Sequence, residues 1–216
     1  MNRPSVQLVC FDLGRVLIRL APSWGEACRR AGVAVPGVAG KEPGRAAIEW
    51  IARHEVGGCD ADALARAMGE AFGMDPAAAL AAFEAYLGEP YEGVDELIEE
   101  LGATGLTTAC LSNTNDLHWA MMTAGNGRCR LPLDRLTHRF ASHLMRCRKP
   151  ESEAYAHVER VVGVAGPGIV FFDDKAENVT AARQRGWCGH VVRDRDDPVN
   201  EVRGVLAEMG VIAPSA

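Results

Sequence analysis

The segment Val9-Cys10-Phe11-Asp12-Leu13-Gly14 is a short apolar run that ends in an acidic residue and a glycine. Further apolar runs along the chain also end in polar or turn residues, and helix-like stretches follow them. This spacing is typical of βα units that feed a buried parallel sheet. Strands are predicted at residues 7–13, 106–111, 168–172 and 188–192, with a weaker strand at 139–142. We therefore expect an α/β fold built on a doubly wound parallel sheet.

The helices that alternate with these strands are predicted at residues 94–102, 116–122, 152–162, 176–185 and 198–209. Gly186 and Gly210 follow the last two of them and are typical stop signals, because glycine readily ends a helix. Alternation of strands and helices along the chain places the helices on the faces of the sheet.

The residues between the first strand and the helix at 94–102 are rich in alanine and contain no clear strand. Residues 61–72 and 76–86 favour helices there, and residues 32–44 form a Gly/Pro-rich loop. We interpret residues 22–90 as a small helical cap, inserted after the first strand at the carboxyl end of the sheet. The α/β core domain would then comprise residues 1–21 and 91–216.

Composition and charge exclude several classes of protein. The 216 residues are 48% hydrophobic, which is enough to bury a sizeable core. A net charge of −6 without a long basic run argues against binding of nucleic acid. No segment reaches the ~18 apolar residues of a membrane span, and the N-terminus does not resemble a signal peptide. The seven scattered cysteines contain no Cys-x-x-Cys pair, which favours reduced thiols and a cytoplasmic location.

Polar residues that follow the apolar runs are the candidates for a site, because ligands bind at the carboxyl ends of parallel strands. They lie at the ends of three predicted strands and in one loop: Asp12, Ser112, Asn113, Lys149, Asp173 and Asp174. Carboxylates suit a hard cation, hydroxyl and amide groups suit phosphate oxygens, and a lysine suits a dianion. Two adjacent carboxylates at the mouth of a core strand are costly unless they meet a cation.

Four motifs in this order resemble those of the haloacid dehalogenase-like hydrolase superfamily. They are Phe11-Asp12-Leu13-Gly14-x-Val16-Leu17, Leu111-Ser112-Asn113-Thr114-Asn115, Arg148-Lys149-Pro150-Glu151 and Phe171-Phe172-Asp173-Asp174-x-x-x-Asn178. The resemblance runs from residue 7 to about residue 193 and is greatest to the branch of small sugar-phosphate phosphatases. It implies a Rossmann-like core and a magnesium-dependent phosphatase that acts on a small phosphorylated metabolite, such as a sugar phosphate.

The resemblance also implies a role for each motif residue. Asp12 would be the nucleophile and form an aspartyl-phosphate, and Lys149 would neutralise both Asp12 and the phosphoryl group. Ser112 and the backbone amide of Asn113 would bind the phosphoryl oxygens. The remaining roles concern the metal: Mg²⁺ would be held by Asp12, the carbonyl of Gly14 and Asp174, while Asp173 and Asn178 would orient the metal shell.

Gly14 departs from the pattern of many phosphatases in this superfamily, which carry there a second aspartate that serves as general acid and base. Loss of such a group can cost ~10²- to 10⁴-fold in rate. Two alternatives therefore stay open beside the phosphatase. One is a dehalogenase that uses Asp12, because a halide leaving group needs no acid. The other is a phosphate-binding protein without turnover. The substrate and the oligomeric state are not readable from the sequence.

Overall fold

Five parallel strands form the central sheet of the computed structural model, which describes residues 5–37, 44–124 and 127–214. The strands in these ranges are β1 (Leu8–Phe11), β2 (Ile18–Leu20), β3 (Leu87–Pro90), β4 (Thr107–Ser112), β5 (His138–Ala141), β6 (Ile169–Asp173) and β7 (Cys188–Val191). The sheet has the order β5-β4-β1-β6-β7, and every neighbouring pair is parallel. The predicted parallel α/β sheet is confirmed, including its weaker strand.

The helices of the described ranges fall into two groups along the chain. Four lie between β2 and β3: α1 (Trp24–Ala31), α2 (Arg45–Glu55), α3 (Ala61–Phe72) and α4 (Pro76–Glu84). The others alternate with the sheet: α5 (Val94–Ala103), α6 (Asp116–Thr123), α7 (Ser142–Met145), α8 (Ser152–Val162), α9 (Ala176–Gln184) and α10 (Pro198–Glu208). Each helix predicted for the core is present, and its ends differ from the prediction by no more than a residue.

The central strand β1 shows why helices cover both faces of the sheet. Its four residues are fully buried, and successive side chains point to opposite faces. Val9 and Phe11 pack in one apolar cluster with residues of α5 and α10. Leu8 and Cys10 pack in a second cluster with residues of α8 and α9. The sheet is therefore doubly wound, as predicted.

The prediction that no strand lies between the first strand and the helix at 94–102 is wrong. β2 and β3 pair there as an antiparallel ribbon, with an irregular register between Ile18 and Leu20. Gly88 allows the close pairing, because a Cβ at this position would lie 2.7 Å from the carbonyl oxygen of Arg19. β2 contains only three residues, and β3, Leu-Gly-Glu-Pro, contains a glycine and a proline, so neither forms the apolar run that predicts a strand.

The helices α1 to α4 pack around a small apolar core of their own, and we call them the helical insertion. Trp24 stacks on Phe72 with ring centroids 4.6 Å apart, and both belong to this core. The boundaries predicted for a cap at residues 22 and 90 stay a prediction, and residues 38–43 of the predicted loop lie outside the described residues. No helix in the described ranges is long and apolar enough to cross a membrane.

Candidate active site

The candidate site lies at the carboxyl ends of β4, β1 and β6, the three central strands of the sheet. Asp12 directly follows β1, while Ser112 and Asp173 are the last residues of β4 and β6. The backbone amide of Asp12 donates to the carbonyl of Phe172 at 2.7 Å, which extends the pairing of β1 and β6. Because parallel neighbours end at one edge, three distant motifs meet there.

Lys149 is the buried cation at the centre of this edge. Its side chain is 1% exposed, and its Nζ lies 2.9 Å from Asp12 Oδ1 and 2.6 Å from Asp173 Oδ2. The side chain of Asn113 holds its backbone, because Nδ2 donates to the Lys149 carbonyl at 2.8 Å and Oδ1 accepts from the Lys149 amide at 2.9 Å. The end of β4 thus positions the lysine through a pair of amide hydrogen bonds.

Asp173 accepts hydrogen bonds from three groups of the protein. Besides Lys149 Nζ, Asn178 Nδ2 lies 3.0 Å from each carboxylate oxygen, and the backbone amide of Lys175 donates to Oδ1 at 2.8 Å. The hydroxyl of Tyr155 donates to the carbonyl of Asn178 at 2.8 Å. This network holds the carboxylate of Asp173 against Lys149.

Burial shifts the pKa values of Asp12 and Lys149, the two partners of the central ion pair, in opposite directions. Burial raises the pKa of Asp12 to about 7; Lys149 opposes this shift, whereas Asp173 and Asp174 add to it. Burial alone would lower the pKa of Lys149, but the carboxylates of Asp12 and Asp173 outweigh it and raise that pKa above its usual value. The lysine therefore stays charged, while full ionisation of Asp12 at neutral pH needs a further positive charge nearby.

The carboxylates of the site fit a divalent cation. One oxygen from each of Asp12, Asp173 and Asp174 lies within 4.8 Å of the others. Carboxylate oxygens are the ligands that Mg²⁺ prefers in proteins. Because Asp173 is already bonded to three donors, Asp12 and Asp174 are the carboxylates of the cluster with most capacity left for such an ion.

Two arginines that the sequence analysis did not select also approach Asp174. The Nη1 atoms of Arg15 and Arg195 lie 3.6 Å and 3.3 Å from its Oδ2. Arg15 has a φ of 59°, in the left-handed region that few non-glycine residues adopt. Its place inside the first motif is a signal that could have identified it, whereas nothing in the sequence marks Arg195.

A cavity of about 370 Å³ opens beside these strand ends. Gly14, Ser112 and Asn113 line it on the side of the sheet, and residues of α1, α2 and α4 line it on the side of the helical insertion. An apolar contact also closes the space next to Gly14, since a Cβ there would lie 3.1 Å from Leu20 Cδ1. The insertion therefore provides much of the wall around the place where a substrate would extend from Asp12.

Glu55, at the end of α2, joins the helical insertion to this edge of the sheet and was not selected from the sequence. Its Oε2 lies 2.7 Å from Arg148 Nη2, and its carbonyl accepts a hydrogen bond from Ser142 Oγ at 2.5 Å. Burial raises the pKa of Glu55, and Arg148 opposes that shift. The ion pair links the insertion to the residue directly before Lys149.

The family of this chain follows from a match to a protein-family model. The model described as haloacid dehalogenase-like hydrolase matches residues 6–186. The chain belongs to this family. It is therefore a hydrolase, and the resemblance drawn from the four motifs is confirmed.

Solved structures of haloacid dehalogenase-like enzymes share the fold. The HAD family enzyme bt-2542 from Bacteroides thetaiotaomicron is 22% identical, with a TM-score of 0.72 over 88% of this chain and 95% of that chain. L-2-haloacid dehalogenase from Xanthobacter autotrophicus is 24% identical, with a TM-score of 0.63 over 97% of this chain and 85% of that chain. At these identities the two similarities establish the fold alone.

A curated relative of this haloacid dehalogenase-like hydrolase is the sesquiterpene phosphatase astK from Aspergillus oryzae. It is 37% identical over 67 residues, which cover 31% of this chain and 34% of the relative. The chain thus matches about a third of the length of that relative.

Proposed function

We propose that this haloacid dehalogenase-like hydrolase is a magnesium-dependent phosphatase that cleaves a phosphate monoester through an aspartyl-phosphate on Asp12. The observation that carries the proposal is the position of Lys149. Its buried ammonium touches the carboxylate that would attack, in a site that also gathers Asp173 and Asp174. Two anions can react only where positive charge surrounds them; Lys149 supplies part of that charge, and a bound Mg²⁺ would supply the rest.

Asp12 would perform the first half of the reaction. Its carboxylate oxygen bonds to phosphorus while the bond between phosphorus and the oxygen of the alcohol breaks, and the leaving oxygen takes a proton from solvent water, since position 14 is a glycine. Lys149 stabilises the negative charge on Asp12 and on the phosphoryl group, and Ser112 with the amide of Asn113 binds the phosphoryl oxygens. Water then attacks phosphorus, the bond to Asp12 breaks, and inorganic phosphate leaves with the carboxylate restored.

Asp12, Asp174 and the carbonyl of Gly14 would hold Mg²⁺. When bound, the ion neutralises charge between the phosphate and Asp12 and keeps the carboxyl group of Asp12 ionised at neutral pH. Asp173 and Asn178 would act indirectly. The carboxylate of Asp173 accepts a hydrogen bond from Lys149 Nζ, and Asn178 donates to the same carboxylate, so the two residues hold Lys149 in place.

The comparisons support the proposal at the level of reaction type. The relative astK is described as a sesquiterpene phosphatase. A structure of wild-type bt-2542, with a TM-score of 0.66, is a complex with magnesium and inorganic phosphate. Both descriptions agree with a phosphorylated substrate for this chain.

A second candidate function is carbon–halogen hydrolysis by Asp12. It is favoured by Gly14, where no side chain can protonate an alcohol, and by the apolar contact that Leu20 makes with this position. A halide leaves without a proton, so the missing acid would not matter. The acidic cluster of Asp12, Asp173 and Asp174 favours the phosphatase instead, because it matches a divalent cation.

The test measures phosphate release from p-nitrophenyl phosphate and from a panel of phosphate monoesters, with magnesium and with a chelator. We expect the chelator to abolish release by the wild type, and Asp12→Asn to lower it by at least about 10³-fold because it removes the nucleophile. Asp174→Asn should raise the magnesium concentration for half-maximal activity by at least about tenfold, because it removes a ligand charge.

The control variant is Asp134→Asn, which changes an exposed aspartate paired only weakly, at 3.4 Å, with Arg130. It should release phosphate at the wild-type rate. Turnover of Asp12→Asn at the wild-type rate would contradict the mechanism. Chloride release from a 2-chloroacid, without phosphate release from any monoester, would instead support the second candidate.

A further inference from the structure

The cavity beside Asp12 has two chemically different sides. Towards the sheet it is lined by groups that suit a phosphoryl group, among them Ser112 and Asn113. On the other side, formed by β2, the helical insertion and α6, its wall is mostly hydrocarbon and aromatic: Leu20, Trp24, Ile48, Ile51, Phe83 and Met122. A substrate whose phosphorus lies next to Asp12 would therefore extend its leaving group along an apolar surface.

Three polar side chains in the same wall, those of Ser23, Asn115 and His118, already hydrogen bond within the protein, whereas the indole N–H of Trp24 is buried without a partner among the described residues. His118 Nε2 lies 2.9 Å from the carbonyl of Phe83, and its Nδ1 lies 3.3 Å from Asn115 Nδ2. Asn115 Oδ1 accepts from the backbone amide of His118 at 3.0 Å, and Ser23 Oγ accepts from the amide of Glu26 at 3.2 Å. These groups cap helices and join elements, so they are not free to replace the water around a polyol.

Three of the four charged residues that the structure describes along the cavity are paired near the sheet, while Lys175 remains as a cation at its edge. Glu55 forms its ion pair with Arg148, and Arg15 approaches Asp174. A sugar hydroxyl that entered the cavity would lose its water and meet carbon atoms instead, which is unfavourable. Transfer of a methylene group from water to the same place would be favourable in free energy.

We propose that the physiological leaving group is apolar, so that the substrate is the monophosphate ester of a hydrocarbon alcohol. This inference rests on the proposed phosphatase function and narrows its substrate class. It differs from the sugar phosphate that the family resemblance implied, because the wall of the helical insertion offers surface for carbon and few partners for hydroxyl groups.

The experiment compares two esters that share a skeleton, cyclohexylmethyl phosphate and glucose 6-phosphate. Each carries its phosphate on a CH₂ group attached to a six-membered ring, and they differ chiefly in the hydroxyl groups. We expect kcat/KM for cyclohexylmethyl phosphate to be higher by about 10²-fold, the size of effect that a mismatch between pocket and substituent produces. A kcat/KM for glucose 6-phosphate that equals or exceeds it would overturn the inference.

Two matched variants assign that preference to the cavity wall. Ile48 lines the cavity on α2 and is 54% exposed, whereas Val161 on α8 is 50% exposed and does not line it. Neither substitution by serine should unfold the protein, because both side chains already face solvent. Ile48→Ser should lower kcat/KM for cyclohexylmethyl phosphate about three- to tenfold and leave that for glucose 6-phosphate unchanged. Val161→Ser should change neither.

The outcomes separate the two proposals. Absence of phosphate release that depends on Asp12, from p-nitrophenyl phosphate as well as from both esters, would refute the phosphatase. Release that depends on Asp12, with no preference for the hydrocarbon ester, would refute the apolar leaving group alone. Equal effects of Ile48→Ser on both esters would also refute it. If both esters turn over too slowly, their inhibition constants against p-nitrophenyl phosphate provide the same comparison.

Discussion

Lys149 is the residue on which the charge balance of the site depends. It is buried between the carboxylates of Asp12 and Asp173, and Asp174 lies close to both. A buried ion pair contributes little net stability when intact, but removal of one partner leaves the other charge buried without compensation. The lysine therefore serves the fold as well as the reaction.

Substitution Lys149→Met keeps the length of the side chain and removes its charge. We expect the free energy of unfolding in urea to fall by about 3–5 kcal/mol, because Asp12 and Asp173 lose their buried partner. Phosphate release should become undetectable. The double variant Lys149→Met/Asp173→Asn should regain part of the stability and none of the activity, which separates the two roles.

The stability control for this prediction is Lys175→Met. Lys175 is exposed, so its substitution should change the free energy of unfolding by no more than about 0.5 kcal/mol. If Lys149→Met proved as stable as the wild type, the carboxylates would not depend on the lysine, and the account of the site at this scale would be wrong.

The sequence predicts the residues at strand ends better than those in loops. Asp12, Ser112 and Asp173 were predicted to meet because neighbouring parallel strands end at one edge. The partners of Asp174 were not predicted, because Arg195 lies beyond β7 in a loop whose path depends on long-range packing. A contact set by such a path leaves no local pattern in the sequence.

At the scale of elements, the core strands were predicted because the buried ones, such as β1 and β6, are apolar runs. The ribbon of β2 and β3 was missed because β2 has only three residues and β3, Leu-Gly-Glu-Pro, contains a glycine and a proline, which are rare in strands. Its pairing depends on a close backbone approach at Gly88, and an isolated glycine in the sequence does not predict such a contact.

The contact between α6 and α4 makes stability depend on pH. His118 on α6 stacks on Phe83 of α4 at 4.6 Å, and its Nε2 lies 2.9 Å from the Phe83 carbonyl. Burial lowers the pKa of His118 from 6.5 to about 4; the Phe83 carbonyl opposes this shift, and His54 adds to it. Between pH 6.5 and pH 4 the imidazole of His118 binds a proton in the unfolded chain but not in the folded protein. The free energy of unfolding therefore falls as the pH decreases through this range.

The variant His118→Gln measures this contribution, because an amide does not titrate and can still donate to the Phe83 carbonyl. Urea unfolding should show that the wild type loses about 2–3 kcal/mol more than the variant between pH 6.5 and pH 4. Equal losses in the two proteins would mean that the contact between α6 and α4 does not exclude the protonated form of His118.

At the scale of the whole molecule, the net charge of −6 contrasts with the composition of the cavity. The charged residues that line the cavity are Arg15, Arg148, Lys175 and Glu55, so three of the four are basic. The net charge argues against nucleic acid, and only the fold shows that basic residues gather at one edge of the sheet.

The position of the helical insertion is the other property of the whole molecule that bears on function. Its helices lie between β2 and β3 in the chain, and residues of α1, α2 and α4 line the cavity beside the edge that carries Asp12. The sequence predicted a helical cap after the first strand from the alanine-rich, helix-favouring stretch at residues 22–90. It did not predict the chemistry of the cavity wall, because side chains from several helices form that wall together.

The most direct test of the central claim is to trap the reaction at Asp12. The wild type is mixed with magnesium and a phosphate monoester, quenched in acid during turnover, and the peptide that contains Asp12 is analysed by mass spectrometry. We expect one phosphoryl group on Asp12, and none when a chelator is present. Phosphate release without transfer to Asp12, or a phosphoryl group on another residue, would contradict it.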